Sequence, residues 1–198
     1  MNLYKLHANP EELSHYHEAH DVVPKLFWDK YENDPEELKK REAAIAKDGE
    51  YAYKYARRVL KKPFQAGEAA IAKDTKLSYY YAEEVLHDKF PEGEAAIAKD
   101  AYYSYHYAKD VLLRKRFPQG EAAIAKDPRW AFRYAKFVIR GRFPEGEAAI
   151  AKDAEWAFQY ATDVLKGRFP AGEEAIAKDK FYAAQYNAQI LKDQQLDN

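Results

Sequence analysis

The chain has 198 residues, 47% of them hydrophobic and 15% aromatic, which is enough apolar surface for a folded core. It has no cysteine, which excludes disulfides, thiolate metal sites and cysteine nucleophiles, and no apolar run approaches the roughly 20 residues that span a bilayer. The net charge of -1 is unevenly divided: residues 1–40 carry five lysines against nine acidic residues, the remainder 27 basic against 24 acidic ones, so an acidic start precedes a mildly basic body.

Residues 1–40 read as an N-terminal helical cap or degenerate leading repeat. Asn9 with Pro10 and Asp34 with Pro35 are helix-start pairs, and Asp21, Val22 and Phe27 echo the spacing of Asp163, Val164 and Phe169 further on. His15, His17 and His20 cluster here, with His7 nearby. Only His17, His20 and Asp21 have the spacing of three and four that puts ligands on one helical face, and zinc wants a further ligand. The group reads as exposed polar histidines, and no metal or other cofactor is expected. The segment lacks the basic start and apolar stretch of a secretory signal, so a cytoplasmic location is expected.

From residue 41 to 192 the chain repeats itself. Blocks ending in Ala-Lys-Asp or its equivalent close at Asp48, Asp74, Asp100, Asp127, Asp153 and Asp179, spacings of 26, 26, 27, 26 and 26. Units this short cannot bury an apolar face alone and must stack, which predicts an all-α, right-handed α-solenoid of about six two-helix repeats. In each unit a short first helix carries a Glu in its first turn and ends with a Lys suited to the negative end of the helix dipole, and in four of the six it follows Phe-Pro. The closing Asp then caps a second helix. Counting that Asp as zero, positions 3, 4, 7, 8, 11 and 12 are apolar or small, a helical stripe. Gly141 and Gly167 stand where a left-handed residue is wanted at the end of the second helix.

Position 7 is Tyr in all six copies, at Tyr55, Tyr81, Tyr107, Tyr134, Tyr160 and Tyr186, and position 8 is Ala in five. A ring beside a small residue suits close packing with the hydroxyl at a polar edge, so this series reads as structural. The third unit has one extra residue near Leu113 to Arg116, which bends the array or lengthens a turn. In the sixth copy Ala184, Gln185, Asn187 and Gln189 make the outer side polar, as in a solvent-facing cap, before a polar tail over residues 193–198.

The hairpin pattern resembles the tetratricopeptide class of α-solenoids in architecture, with a shorter unit and without that class's Trp, Leu-Gly and Tyr signature. The strings FPEGEAAIAKD and WAFxYAxxVLKGRF are more closely similar to short helical repeats of bacteriophage proteins, over residues 42–192. That resemblance implies a viral protein acting in a bacterial cytoplasm on a host factor, and it carries over no functional residues.

Catalysis is not expected, since repetition works against the single constellation an active site needs. Ser14, Thr75, Ser78, Ser104 and Thr162 are the only hydroxyl nucleophile candidates, and Ser78 and Ser104 stand at position 4, where other copies have Ala. No phosphate loop, HExxH or nucleophile elbow occurs. Positions 2, 6, 9 and 13 vary between copies and lie off the packed stripe. Their aromatic and basic residues, Tyr80, Tyr102, His106, Arg129, Arg133, Lys136 and Arg140, have hot-spot composition and are the candidate contacts for a protein partner. The alternative is a nucleic acid or nucleotide held by basic strips on the first and fourth copies, including Lys54, Arg57 and Lys61, and by the Lys ladder before each Asp. The near-zero net charge speaks against it. No membrane partner is expected, and self-association is open.

Overall fold

The structure, a computed structural model, describes residues 41–191; the expected cap over residues 1–40, with its histidines, and the tail over residues 193–198 lie outside the described residues. The chain is an all-α tandem repeat, with no strand among the described residues. After a helical stretch at residues 41–45, long and short helices alternate. The long ones each begin as α-helix and finish as a wider π-helical segment: α1 Gly49–Lys54 with Tyr55–Leu60, α3 Thr75–Tyr81 with Ala82–Leu86, α5 Ala101–His106 with Tyr107–Val111, α7 Pro128–Tyr134 with Ala135–Ile139, α9 Ala154–Gln159 with Tyr160–Leu165, and α11 Lys180–Tyr186 with Asn187–Leu191. The short ones are α2 Gln65–Ile71, α4 Pro91–Ile97, α6 Pro118–Ile124, α8 Pro144–Ile150 and α10 Glu173–Lys178, the last preceded by a 3₁₀ turn at Pro170–Gly172. Two compact units divide the chain, Met1–Gly93 and Glu94–Asn198. In the first, α2 packs on α1 and α3, and α1 also meets α3. In the second, the long helices α5, α7, α9 and α11 pack in succession, each hairpin closed by its short helix.

Every long helix starts on the predicted Asp. The Asp74 carboxylate accepts the Leu77 N–H at 2.8 Å, and Asp127 accepts those of Arg129 and Trp130 at 3.0 and 3.1 Å, satisfying donors that the first turn leaves orphaned. Four of the short helices stop at Ile, so that Lys73, Lys126 and Lys152 fall in the turn beyond, their N–H groups bonded to Ala70, Ala123 and Ala149 carbonyls, whereas α10 runs on to Lys178 and has the expected Lys in its last turn.

The far end of the long helices differs from expectation. Neither Gly141 nor Gly167 has positive φ; the left-handed residue is the one before, Arg140 at 58° and Lys166 at 51°, with Lys61 and His87 at the matching position of earlier copies. The exit closes in a wide turn, in which Gly141 N–H reaches back to Ala135 and Gly167 N–H to Ala161, both six residues away. The extra residue of the third unit is absorbed here, with Leu113 and Arg114 both left-handed, so it lengthens the exit turn. Non-Gly residues pay a steric cost in this conformation. Lys166→Gly is therefore expected to raise stability by about 0.5–1 kcal/mol in urea unfolding; an unchanged or lower midpoint would show that Lys166 carries no strain.

The core is built on the position-7 tyrosines. Tyr81, Tyr107, Tyr134 and Tyr160 are fully buried. The Tyr134 hydroxyl donates to Glu121 at 2.7 Å and accepts the Phe117 N–H at 2.8 Å, while its ring meets Phe143 edge-on at 5.2 Å. Tyr160 does the same with Glu147, Phe143 and Phe169. One side chain thus ties together three successive segments. In the second unit the same glutamates also take bidentate arginines, Arg116 to Glu121 and Arg142 to Glu147, which explains the first-turn Glu better than its helix dipole does. Position 5 joins the buried stripe as well, at Tyr53, Tyr79, Tyr105 and Phe132. In the sixth copy Ala184, Asn187 and Gln189 are exposed.

The glycine that opens each short helix is needed for space. A Cβ on Gly146 would lie 2.6 Å from Phe143 Cδ1 and 2.7 Å from Ala131 Cβ, and Gly93 and Gly120 are confined in the same way by Ser78 and Ser104. This close approach explains why position 4 is only Ala or Ser. Ser78 and Ser104 are fully buried and donate to the carbonyls of Ile71 and Ile97 at 3.1 and 3.0 Å, the packed role expected of them.

Candidate functional site

The candidate contacts divide into separate places. Tyr80 stands in the first unit, lining a groove of about 590 Å³ between α1 and α3 with Tyr53, Arg57, Lys76 and Glu84. Glu84 is already engaged there, by the Tyr53 hydroxyl and by Arg57 at 2.6 Å. Lys54 is paired with Glu50 at 2.7 Å. The basic strip of the first copy is therefore largely matched by its own carboxylates.

In the second unit, Tyr102, His106, Arg129 and Arg133 come together around a residue that the sequence reading left in the packed stripe, Trp130. The first helical turn of α5 presents Tyr102, its next turn His106, and α7 brings Arg129, Trp130 and Arg133. Ring centroids of Tyr102, Tyr105 and His106 lie 5.3, 5.3 and 5.8 Å from that of Trp130. The guanidinium carbons of Arg129 and Arg133 stand 4.5 and 5.2 Å from the same ring, within cation–π range. Trp130 is itself buried, whereas Arg129 is exposed, Arg133 half-buried and Tyr102 41% exposed, so the indole is a floor and the others form a rim.

The floor belongs to the repeat. Position 5 of one copy stacks at a tilt on position 3 of the next in Tyr105–Trp130, Phe132–Trp156 and Phe158–Tyr182. The recurring aromatics at positions 3 and 5 were visible in the sequence, but their pairing depends on the register between neighbouring long helices, which no single copy encodes. The rim belongs to this junction alone, because only the third and fourth copies combine Tyr and His with two arginines at positions 2 and 6.

Charge around the cluster is unevenly matched. His106 Nδ1 lies 2.9 Å from Asp110 Oδ2, and Lys109 Nζ 2.9 Å from Asp110 Oδ1. Those contacts hold the Asp110 carboxyl below its ordinary range despite the opposing effect of its burial. Burial pushes the Tyr105 phenol up, with Asp110 reinforcing and Lys109, Arg133 and Arg114 opposing. Lys136 is not part of the cluster: it bridges to Asp163 of α9 at 2.8 Å, over the rings of Phe132 and Phe137. Arg140 is the exposed left-handed residue at the helix exit, and Arg142 beyond it is held by Glu147.

Thr162 donates its hydroxyl to its own helix carbonyls. Among the described residues no three His, Cys, Asp or Glu side chains are grouped to hold a metal, and no helix is long and apolar enough to cross a membrane. Fold and site together define an all-α tandem helical-repeat protein with one singular aromatic–arginine cluster. No protein family, curated protein or solved structure matches the chain.

Proposed function

We propose that this chain is a non-enzymatic scaffold that binds a protein partner through the exposed faces of its long helices, with Tyr102, His106, Arg129 and Arg133 at the centre of the contact. Tyr80, Lys136 and Arg140 are outlying contacts. One observation carries this reading. The structural network of the repeat, Tyr hydroxyl to Glu and Phe N–H, is complete without these four residues, yet at one junction they assemble rings and guanidinium groups over a buried indole. Rigid aromatics that lose little entropy, beside arginines, are the composition that concentrates binding energy in interfaces.

The bacteriophage resemblance read from the repeat strings is part of this proposal, and it makes bacterial extract the first source of partners. Pull-down with the full chain from nuclease-treated extract is expected to retain a stoichiometric protein. Tyr102→Ala with Arg133→Ala should abolish that capture while costing about 1–2 kcal/mol of stability, the scale of the Tyr102 ring contacts with Tyr103, His106 and Trp130 and of the Arg133 cation–π contact, and leaving the fold intact. Capture unchanged by the double substitution places the contact elsewhere. Recovery of nuclease-sensitive nucleic acid alone moves the reading to the phosphate-binding alternative, for which the carboxylate-matched cations of the first copy give little support.

A further inference from the structure

Resting on the scaffold reading, we propose that the partner presents a short acidic protein segment, whose carboxylates are taken by the guanidinium groups of Arg129 and Arg133. These two arginines lie one helical turn apart on α7, both over the Trp130 ring. A guanidinium held over a ring at cation–π distance keeps N–H donors for a ligand, and a guanidinium fork matches a carboxylate in bidentate geometry. The stack is held in place from below, since Tyr105 and His106 pack against the same indole and Asp110 fixes His106. The donors are therefore preorganised, which lowers the entropy lost on binding.

Neither arginine has a carboxylate within ion-pair distance among the described residues, in contrast to Arg57, Arg116, Arg142 and Arg168. The reason lies in the repeat register. A basic residue at position 9 meets an acid at position 10 of the next copy in Arg57–Glu84 and Lys136–Asp163. At the α5–α7 junction position 10 is Phe137, 42% exposed, and Lys109 turns to Asp110 of its own helix. The cross-repeat acid is missing at the one junction where two further cations stand at positions 2 and 6. An acidic segment supplies from outside what the α1–α3 and α7–α9 junctions supply from within.

A long polyanion fits less well. The neighbouring helices carry Asp110 on one side and Glu155 and Asp163 on the other, so a phosphate backbone that continues past Arg129 and Arg133 meets carboxylates. The positive charge is local, suited to a few carboxylates on a peptide.

The full chain is screened against a random dodecapeptide library, and selected peptides, together with a labelled oligothymidine, are titrated by fluorescence anisotropy. Peptides enriched in adjacent Asp and Glu are expected. Arg129→Glu with Arg133→Glu should weaken them by roughly tenfold or more and shift selection toward Lys and Arg, with the helical circular dichroism of the wild type retained. Arg129→Lys with Arg133→Lys keeps the charge but loses the fork, and should recover only part of the affinity. Absence of acidic enrichment, affinity unmoved by charge reversal, or tighter binding of oligothymidine than of every peptide overturns the acidic-segment proposal. The scaffold reading falls separately, on a pull-down that retains no protein.

Discussion

Raising the pH past 10 is expected to unfold this protein cooperatively, with late tyrosinate absorbance appearing together with the loss of helical signal. Burial pushes the Tyr160 phenol up to about 12, with Glu147 reinforcing and the Phe143 N–H opposing, and Tyr81 and Tyr134 are driven higher for the same reasons. In the unfolded chain a tyrosine titrates near 10. The fold therefore favours the protonated phenol: its contribution is fully present below about pH 10 and is lost as pH climbs through the folded values. At pH 11 each such tyrosine removes about 1.4 kcal/mol of stability, and three remove about 4, a large share of the roughly 5–15 kcal/mol of a typical domain. Exposed members of the 17 tyrosines should titrate first without structural change. A single titration of all tyrosines near pH 10 with the helix intact would refute the buried hydrogen-bonded ladder. The acid limb is gentler. Arg116, Arg142 and Arg168 hold the carboxyls of Glu121, Glu147 and Glu173 below their ordinary range, so these pairs contribute above the unfolded glutamate value and fade as pH falls below it. Solvent at the arginines screens that term.

Gly146→Ala is expected to cost about 3 kcal/mol, at the upper end of overpacking effects. The added methyl would sit 2.6 Å from Phe143 and 2.7 Å from Ala131 Cβ. Neither neighbour yields easily: Ala131 Cβ is fixed to the α7 backbone, and the Phe143 ring is locked against Tyr134. Combining Gly146→Ala with Ala131→Gly removes one of the two clashes and should recover part of the loss in a double-mutant cycle. Gly141→Ala is the control. Nothing stands within 4 Å of a Cβ there and its φ is not positive, so its urea midpoint should hold or rise. Equal losses at Gly141 and Gly146 would mean that glycine acts through backbone freedom and not through helix approach.

The sequence reading and the structure agree at the Asp caps and the position-4 serines, where one copy contains its own explanation. Asp74 and Asp127 cap because the carboxylate and the N–H groups it accepts lie within three residues. Ser78 and Ser104 pack because their position is small in every copy. Where the explanation spans two copies, the sequence was ambiguous. Glu121 looked like a dipole residue because its partners, Arg116 and Tyr134, lie five residues before it and 13 residues after it, and only the hairpin brings them to one carboxylate. Lys136 looked like a partner contact because Asp163, 27 residues on, is recruited only by folding.

The sequence by itself determined the repeat, its two-helix unit, its Asp caps and its tyrosine-centred core, because these follow from local periodicity and are written six times over. Only the tertiary structure decided where the long helices end, with the left-handed residue at Arg140 and Lys166 and not at Gly141 and Gly167. It also decided which variable residues meet. Tyr102 and His106 join Arg129 and Arg133 over Trp130 because α5 and α7 are neighbours in one register, while Tyr80 stands in a different groove. Local hydrogen bonding and hydrophobic period act within a few residues and can be read along the chain. Helix register acts between segments about 26 residues apart, and it is fixed only when the rings and small residues of adjacent copies pack together.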